Sequence, residues 1–236
     1  MKPTILITGI TKGIGHAIAE LFAKNGYNVA GCARDKKALD AFKAELWNKY
    51  PEQKFLFALC DVSDKNDVLA FAYDVTDEFE RIDILVNNAG VFIPGSLLNE
   101  EDGIFEQQMN TNLASAYHLS RVIAPKMIAQ KSGHIFNICS TASIKAYSNG
   151  ASYCISKHAL LGFSKGLREE LMPTGVRVTA VLPGATLTNS WAGTDHPEER
   201  FIKAEDIAQS IWDIHKLSAN ADVEEILIRP QLGDFA

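Results

Sequence analysis

The sequence predicts a doubly wound α/β fold, a parallel sheet of seven strands with helices on both faces, and three observations carry that reading. Short apolar runs alternate along the chain with longer amphipathic segments. Most of the runs lack strict apolar-polar alternation, as expected of strands covered on both faces. The length of 236 residues suits one substantial core and is short for two full-sized domains. Right-handed crossovers then leave few other arrangements of strand and helix.

The first strand is read over Thr4 to Thr8, between Lys2-Pro3 and Thr8-Gly9. The others follow at Asn28 to Ala33, Phe55 to Cys60, Ile82 to Val86, His134 to Ser140, Arg177 to Leu182 and Glu225 to Ile228. Helices are expected around 14–25, 36–49, 64–80, 103–131, 151–172 and 204–218. The irregular stretch Pro183 to Lys203 carries two prolines, two glycines and Trp191, which suggests a short substrate loop at 184–203 in one domain spanning 1–236. Trp191 is read as a cap over a shallow, open pocket.

Composition narrows the function classes. There are 23 Lys plus Arg against 29 Asp plus Glu, a net charge of −6, so nucleic acid and anionic lipid are poor partners. Cys32, Cys60, Cys139 and Cys154 lie far apart without a C-x-x-C pair and read as reduced core residues, with no metal expected. The first apolar run, Ile5 to Ile7, is too short for a signal peptide or a membrane span, so a cytoplasmic protein is expected. His118, His134 and His158 read as packing or surface residues.

Thr8-Gly9-Ile10-Thr11-Lys12-Gly13-Ile14-Gly15 joins the first strand to the first helix. Glycines there permit a tight turn and close backbone approach, and the helix start offers N–H groups to a pyrophosphate. The spacing is G-x-x-x-G-x-G. Asn87-Asn88-Ala89-Gly90 closes the fourth strand, Asp61-Val62 the third, and Pro183-Gly184 the sixth. Tyr153 and Lys157 form Y-x-x-x-K on one helix face, and Ser140 stands thirteen residues before the tyrosine.

In this order on these elements, the motifs resemble the classical short-chain dehydrogenase/reductase family, over residues 4 to 188. The resemblance implies a Rossmann-type dinucleotide site built from Gly9, Thr11, Lys12, Gly13, Ile14, Gly15, Arg34, Asp61, Val62, Asn88, Ala89, Gly90, Tyr153, Lys157, Pro183, Gly184 and Thr188. It also implies a catalytic set of Asn112, Ser140, Tyr153 and Lys157. Tyr153 would exchange a proton with the substrate oxygen, and Ser140 would hydrogen-bond it. Lys157 and an oxidised nicotinamide would pull the phenol below its ordinary pKa of about 10, and Asn112 would position a water between Lys157 and solvent.

Charge points to the cofactor. Where relatives that use NAD carry an acid at the end of the second strand, this chain has Ala33, followed by basic Arg34, with Lys12 in the glycine turn. Two cations suit the 2′-phosphate of NADP(H), with Asp35 as the competing acid and NAD(H) the second possibility. The resulting reading is an NADP(H)-dependent carbonyl reductase or alcohol dehydrogenase. A 3-oxoacyl-carrier-protein reductase and a non-catalytic NADP-binding redox sensor are the alternatives. The long segments 103–131 and 151–172, with apolar Leu160, Phe163 and Leu167, resemble the family's interface helices and suggest a homotetramer or homodimer.

Overall fold

The computed structural model describes residues 1–188, 191 and 193–234. Seven parallel strands, β1 (Thr4–Thr8), β2 (Asn28–Ala33), β3 (Phe55–Leu59), β4 (Ile84–Asn87), β5 (Gly133–Ile138), β6 (Val176–Pro183) and β7 (Glu225–Ile228), form one sheet in the order β3-β2-β1-β4-β5-β6-β7. The order reverses beside β1, so the connections leaving the paired strands β1 and β4 part to opposite sides and open a crevice at their carboxyl ends. β1, β2, β4, β5 and β6 are almost wholly buried because helices cover both faces.

Helices α1 (Gly13–Lys24), α2 (Lys36–Lys49) and α7 (Ala204–His215) pack on one face, in a core that includes Ile5, Ile7, Phe22, Phe42, Phe136 and Ile211. On the other face α3 (Lys65–Glu78), α5 (Ser115–Gln130) and α6 (Ala151–Leu171) enclose Leu6, Phe71, Leu85, Ile123, Leu160 and Val178. At about 25 cal/mol per Å² of apolar surface buried, these layers supply the main drive for folding. Among the described residues no helix is long and apolar enough to cross a membrane. All four cysteines are free and buried.

The segment 103–131 departs from the single helix expected. It is α4 (Ile104–Met109), a π-helical turn over Asn110–Ala114, and then α5. An i→i+5 turn has no side-chain period of its own, so the apolar spacing conceals it. The turn presents Asn112 toward α6.

Candidate active site

Every sequence-predicted site residue lies at or just beyond the carboxyl end of a strand, or on α6 and the π-turn that face those ends. After β1 the chain turns through Gly9 (φ 70°) into α1, which opens at Gly13 (φ 54°). Gly9 N and Ile10 N donate to Cys32 O on β2 at 2.9 and 3.2 Å. Asn88 Nδ2 donates to Thr8 O at 2.8 Å and to Gly9 O at 3.2 Å. The N–H groups of Asn88 and Ala89 both donate to Thr8 Oγ1, at 3.0 and 2.9 Å. A Cβ at Gly15 would lie 2.3 Å from Gly9 O and 2.5 Å from Asn88 Nδ2, so only glycine fits. The first turn of α1 holds no acid, and the Lys12 side chain does not cap it, which leaves its positive end to an anion from outside the chain.

Thr11 and Lys12 stand on the solvent side of this turn, Lys12 exposed, while the Ile14 side chain packs on the core. Arg34 is exposed just after β2. Asp35 caps α2, its Oδ1 accepting from Ala38 N at 3.0 Å. The competing acid is thus engaged with its own helix. After β3, Asp61 Oδ1 accepts from Ser63 N at 3.0 Å and Ser63 Oγ at 2.8 Å. Those bonds, with the charge of Arg34, hold the Asp61 carboxyl below the usual range. Val62 turns its side chain into the core and has only backbone to offer the crevice. On the far side, Pro183 ends β6 and Gly184 N donates to Ile228 O at 2.8 Å. A Cβ at Gly13 would come within 2.8 Å of Thr188 Cγ2, which puts Thr188 directly over the glycine turn. A cleft of about 420 Å³ runs beside this contact, lined by His16, Leu187, Lys203 and Glu205 among others.

α6 carries Tyr153 and Lys157 on one face, pointing toward the end of β5. Lys157 is 4% exposed and its Nζ donates to Ile138 O at 2.8 Å. Burial brings its pKa down to about 8. A Cβ at Gly90 would lie 3.3 Å from Asn112 Oδ1 and 3.4 Å from Lys157 Nζ, so the two side chains converge on that glycine. Ser140 caps a 3₁₀ turn over Thr141–Ser143; its Oγ accepts from Ala142 N at 3.1 Å, and its own N–H donates to Ser143 Oγ at 3.2 Å. Burial is the largest influence on Tyr153 and pushes its phenol up, while the hydrogen-bonding Ser140 hydroxyl works against it.

A partly buried phenol beside a serine hydroxyl, with a lysine one turn along the same helix, can pass a proton to or from an oxygen placed between the first two. The sequence profile described as short chain dehydrogenase matches residues 3–199. The chain belongs to the short-chain dehydrogenase/reductase family. A sepiapterin reductase of Chlorobaculum tepidum is 36% identical over 243 residues, covering 100% of this chain and 99% of that protein. A 3-oxoacyl-acyl-carrier-protein reductase of Haemophilus influenzae is 35% identical over 216 residues, 87% of each. Among solved structures, a metagenomic short-chain oxidoreductase in complex with NADP is 33% identical at a TM-score of 0.84, with 97% of both chains covered. An alcohol dehydrogenase of Thermococcus sibiricus complexed with 5-hydroxy-NADP matches at 25% identity and a TM-score of 0.92 over 100% of both.

Four expectations for this short-chain oxidoreductase need correction. Lys157 does not by itself bring the Tyr153 phenol down: its Nζ lies 5.8 Å from the ring centroid and is committed to Ile138 O. The Asn112 amide has both donors engaged, to Val91 O and Ser156 Oγ at 2.9 Å each, and its Oδ1 accepts from Val91 N at 2.7 Å. Its side chain therefore clamps the end of β4 to α6, which leaves it no free donor for a water. Trp191 packs edge-to-face on Phe201 at 5.1 Å, and Phe201 with Ile202 anchors the far end of the loop in the core. Asn189, Ser190 and Ala192 of the expected substrate loop lie outside the described residues. Leu160, read as part of an interface, is buried in the core at 2% exposure, with Phe163 packed against the same cluster.

Ser156 and Phe92 of the site were missed, while Ser143 and Tyr147 lie close enough in sequence to line a pocket, although their spacing does not distinguish substrate contacts from loop structure. Ser143 completes a reciprocal cap with Ser140, for which an S-x-x-S spacing is the signal. Ser156 is fully buried and receives Asn112. Phe92 meets Tyr153 edge-to-face at 5.1 Å and Tyr147 at 6.5 Å. Loop residues like these two carry no periodicity that would announce them.

Proposed function

We propose that this oxidoreductase interconverts carbonyl compounds and alcohols with NADP(H), and that Tyr153 carries the proton. The gathering of Tyr153, Ser140 and Lys157 at the carboxyl end of the sheet, the end at which the uncapped α1 also starts, is the observation that carries this reading. When bound, the nicotinamide supplies or takes up the hydride. The residues fit such a group. A glycine turn too tight for side chains meets a helix start without an acid, Thr188 overhangs it, and the exposed Lys12 and Arg34 would receive the adenosine half.

The chain's own steps follow. In reduction, Ser140 Oγ donates a hydrogen bond to the carbonyl oxygen and Tyr153 Oη gives up its proton to that oxygen; oxidation reverses this. Burial keeps the phenol protonated, as reduction requires. Lys157, whose pKa of about 8 leaves it mostly charged at neutral pH, would hold the nicotinamide ribose and, only together with the oxidised nicotinamide, favour the phenolate left behind. Asn112 positions Val91 and Ser156 and thereby the frame around Gly90.

Cofactor choice rests on Lys12 and Arg34, since Asp35 is engaged in capping α2. Steady-state kinetics on any accepted carbonyl should give a higher kcat/KM with NADPH than with NADH. Arg34→Ala should weaken NADPH binding by about tenfold to a hundredfold and NADH binding far less. A preference for NADH would overturn the assignment. Turnover itself separates this reading from a redox sensor, which would bind NADPH and reduce no substrate. We further propose a homodimer or homotetramer joined through the outer faces of α5 and α6, where Tyr117 is 42% exposed and packs on Phe163. Light scattering that gives the monomer mass at micromolar concentration would contradict it.

A further inference from the structure

The mouth of the site is built from three rings. Phe92 follows β4, Tyr147 follows β5 and Tyr153 stands in the first turn of α6, so three separate pieces of chain contribute one aromatic surface. Phe92 contacts Tyr153 at 5.1 Å with the planes at 82°, and Tyr147 at 6.5 Å and 52°. Phe92 remains 40% exposed and Tyr147 45%, although both are large and apolar. Ile144, at 46%, extends the surface.

The rings are held in place from behind. A Cβ at Gly150 would lie 2.5 Å from Tyr147 Cε2, so that ring rests flat against backbone that glycine alone leaves open. Asn149, in the left-handed region at φ 61°, accepts at its carbonyl from Gly95 N at 3.1 Å and ties the loop after β5 to the loop after β4. Glu100 is bonded to the Ser152 hydroxyl, and its other oxygen lies 3.2 Å from where a Gly95 Cβ would be, behind the loop. Burial is the largest influence on both phenols and pushes each up; Tyr153 and Cys154 add to it at Tyr147, while at Tyr153 the Ser140 hydroxyl opposes it.

We infer that the substrate is an uncharged aryl carbonyl compound whose ring packs against Phe92 and Tyr147 while its carbonyl reaches Ser140 and Tyr153. The inference rests on the activity proposed above and narrows it. Aromatic pairs gain beyond their buried area in edge-to-face or offset geometry, and a flat ring resting on the exposed sides of Phe92 and Tyr147 can adopt that geometry. Lys145, between Ile144 and Tyr147, is exposed to water, whereas a carboxylate or phosphate seated on the rings themselves would lose its water there. That argues against amino acids, hydroxy acids and carrier-bound acyl thioesters as the preferred substrates.

Three carbonyl compounds of similar size test this with NADPH: 1-phenyl-1,2-propanedione, 2,3-hexanedione and benzoylformate. The expected order in kcat/KM has the phenyl dione ahead of the aliphatic dione by about tenfold, and ahead of the charged aryl compound by more. In Tyr147→Ala and Phe92→Ala the ratio of phenyl to aliphatic dione should fall to within about threefold, whereas Tyr147→Phe should keep it. A ratio taken within one variant is insensitive to how much of that variant is folded. Equal or better turnover of 2,3-hexanedione or benzoylformate, or an unchanged ratio in both alanine variants, overturns the inference and leaves the proposed activity standing. If none of the three is reduced by wild-type protein that still binds NADPH by fluorescence titration, the proposed activity falls and the inference with it.

Discussion

At the carboxyl end of the sheet, Lys157 is 4% exposed and gives its Nζ to one backbone carbonyl; at the amino end, His134 is fully buried and His215 stands beside it, their ring centroids 5.8 Å apart. Both ends hold ionisable groups away from water, and burial depresses the pKa of each. Their surroundings differ. The histidines are packed into a ring cluster: His134 stacks on Phe136 at 3.9 Å and bonds Thr179 Oγ1 at 2.9 Å, and His215 bonds the Tyr27 hydroxyl at 3.1 Å. Arg177 closes the cluster by donating to His215 O at 2.9 Å. Lys157 closes on Gly90 and lies over the ring of the partly buried Tyr153, which in turn meets the Ser140 hydroxyl. A perturbed pKa thus marks burial at both ends, and only its position at the crevice where strand order reverses marks function.

Breaking the carboxyl end should give the larger effect. Keeping Lys157 buried costs about 3 kcal/mol, the equivalent of a pKa lowered from 10.5 to about 8. The sign is fixed by linkage: a cation with a depressed folded-state pKa destabilises the fold at neutral pH, and stability is regained as pH rises from 8 toward 10.5. Lys157→Met should therefore lower turnover by about 10² or more while raising Tm at pH 7 by roughly 5 °C, a trade of stability for function. Thermal melts and initial rates on one preparation check both, and a lower Tm would mean that the ammonium supports the fold.

The amino end should answer only in stability. His215 titrates at about 4 in the folded chain against 6.5 unfolded, so its contribution is complete above pH 6.5 and is lost as pH falls toward 4. His134 acts in the same direction. His215→Gln can still accept from Tyr27 and does not titrate; it should flatten the fall of Tm between pH 6.5 and 4.5 by a few degrees and leave KM for NADPH as it was. An unchanged slope would assign acid sensitivity to the carboxylates.

Sequence patterns made the strands, the glycine turn and the Tyr153–Lys157 register legible because each rests on a short-range rule: apolar runs, forbidden side chains, one helical turn. Arg34 and Asp35 could be placed at the end of β2 by counting, but counting cannot say that Asp35 is engaged as a helix cap. The π-turn at Asn110–Ala114 and the clamp made by Asn112 depend on α6 packing across from it, which no local spacing encodes. Phe92 and Tyr147 are 55 positions apart and meet only because β4 and β5 end side by side. Trp191 could be seen as a large side chain in a loop, while its partner Phe201 emerges only in three dimensions.

The central claim, that the carboxyl end of the sheet is a site of proton and hydride exchange centred on Tyr153, is tested most directly by Tyr153→Phe measured for NADPH binding and turnover together. Phenylalanine keeps the edge-to-face contact with Phe92 and removes only the hydroxyl. NADPH should still raise the Tm of the variant, and carbonyl reduction should fall by about 10² or more relative to wild type. Reduction at a near wild-type rate would contradict the account by assigning the proton to another group.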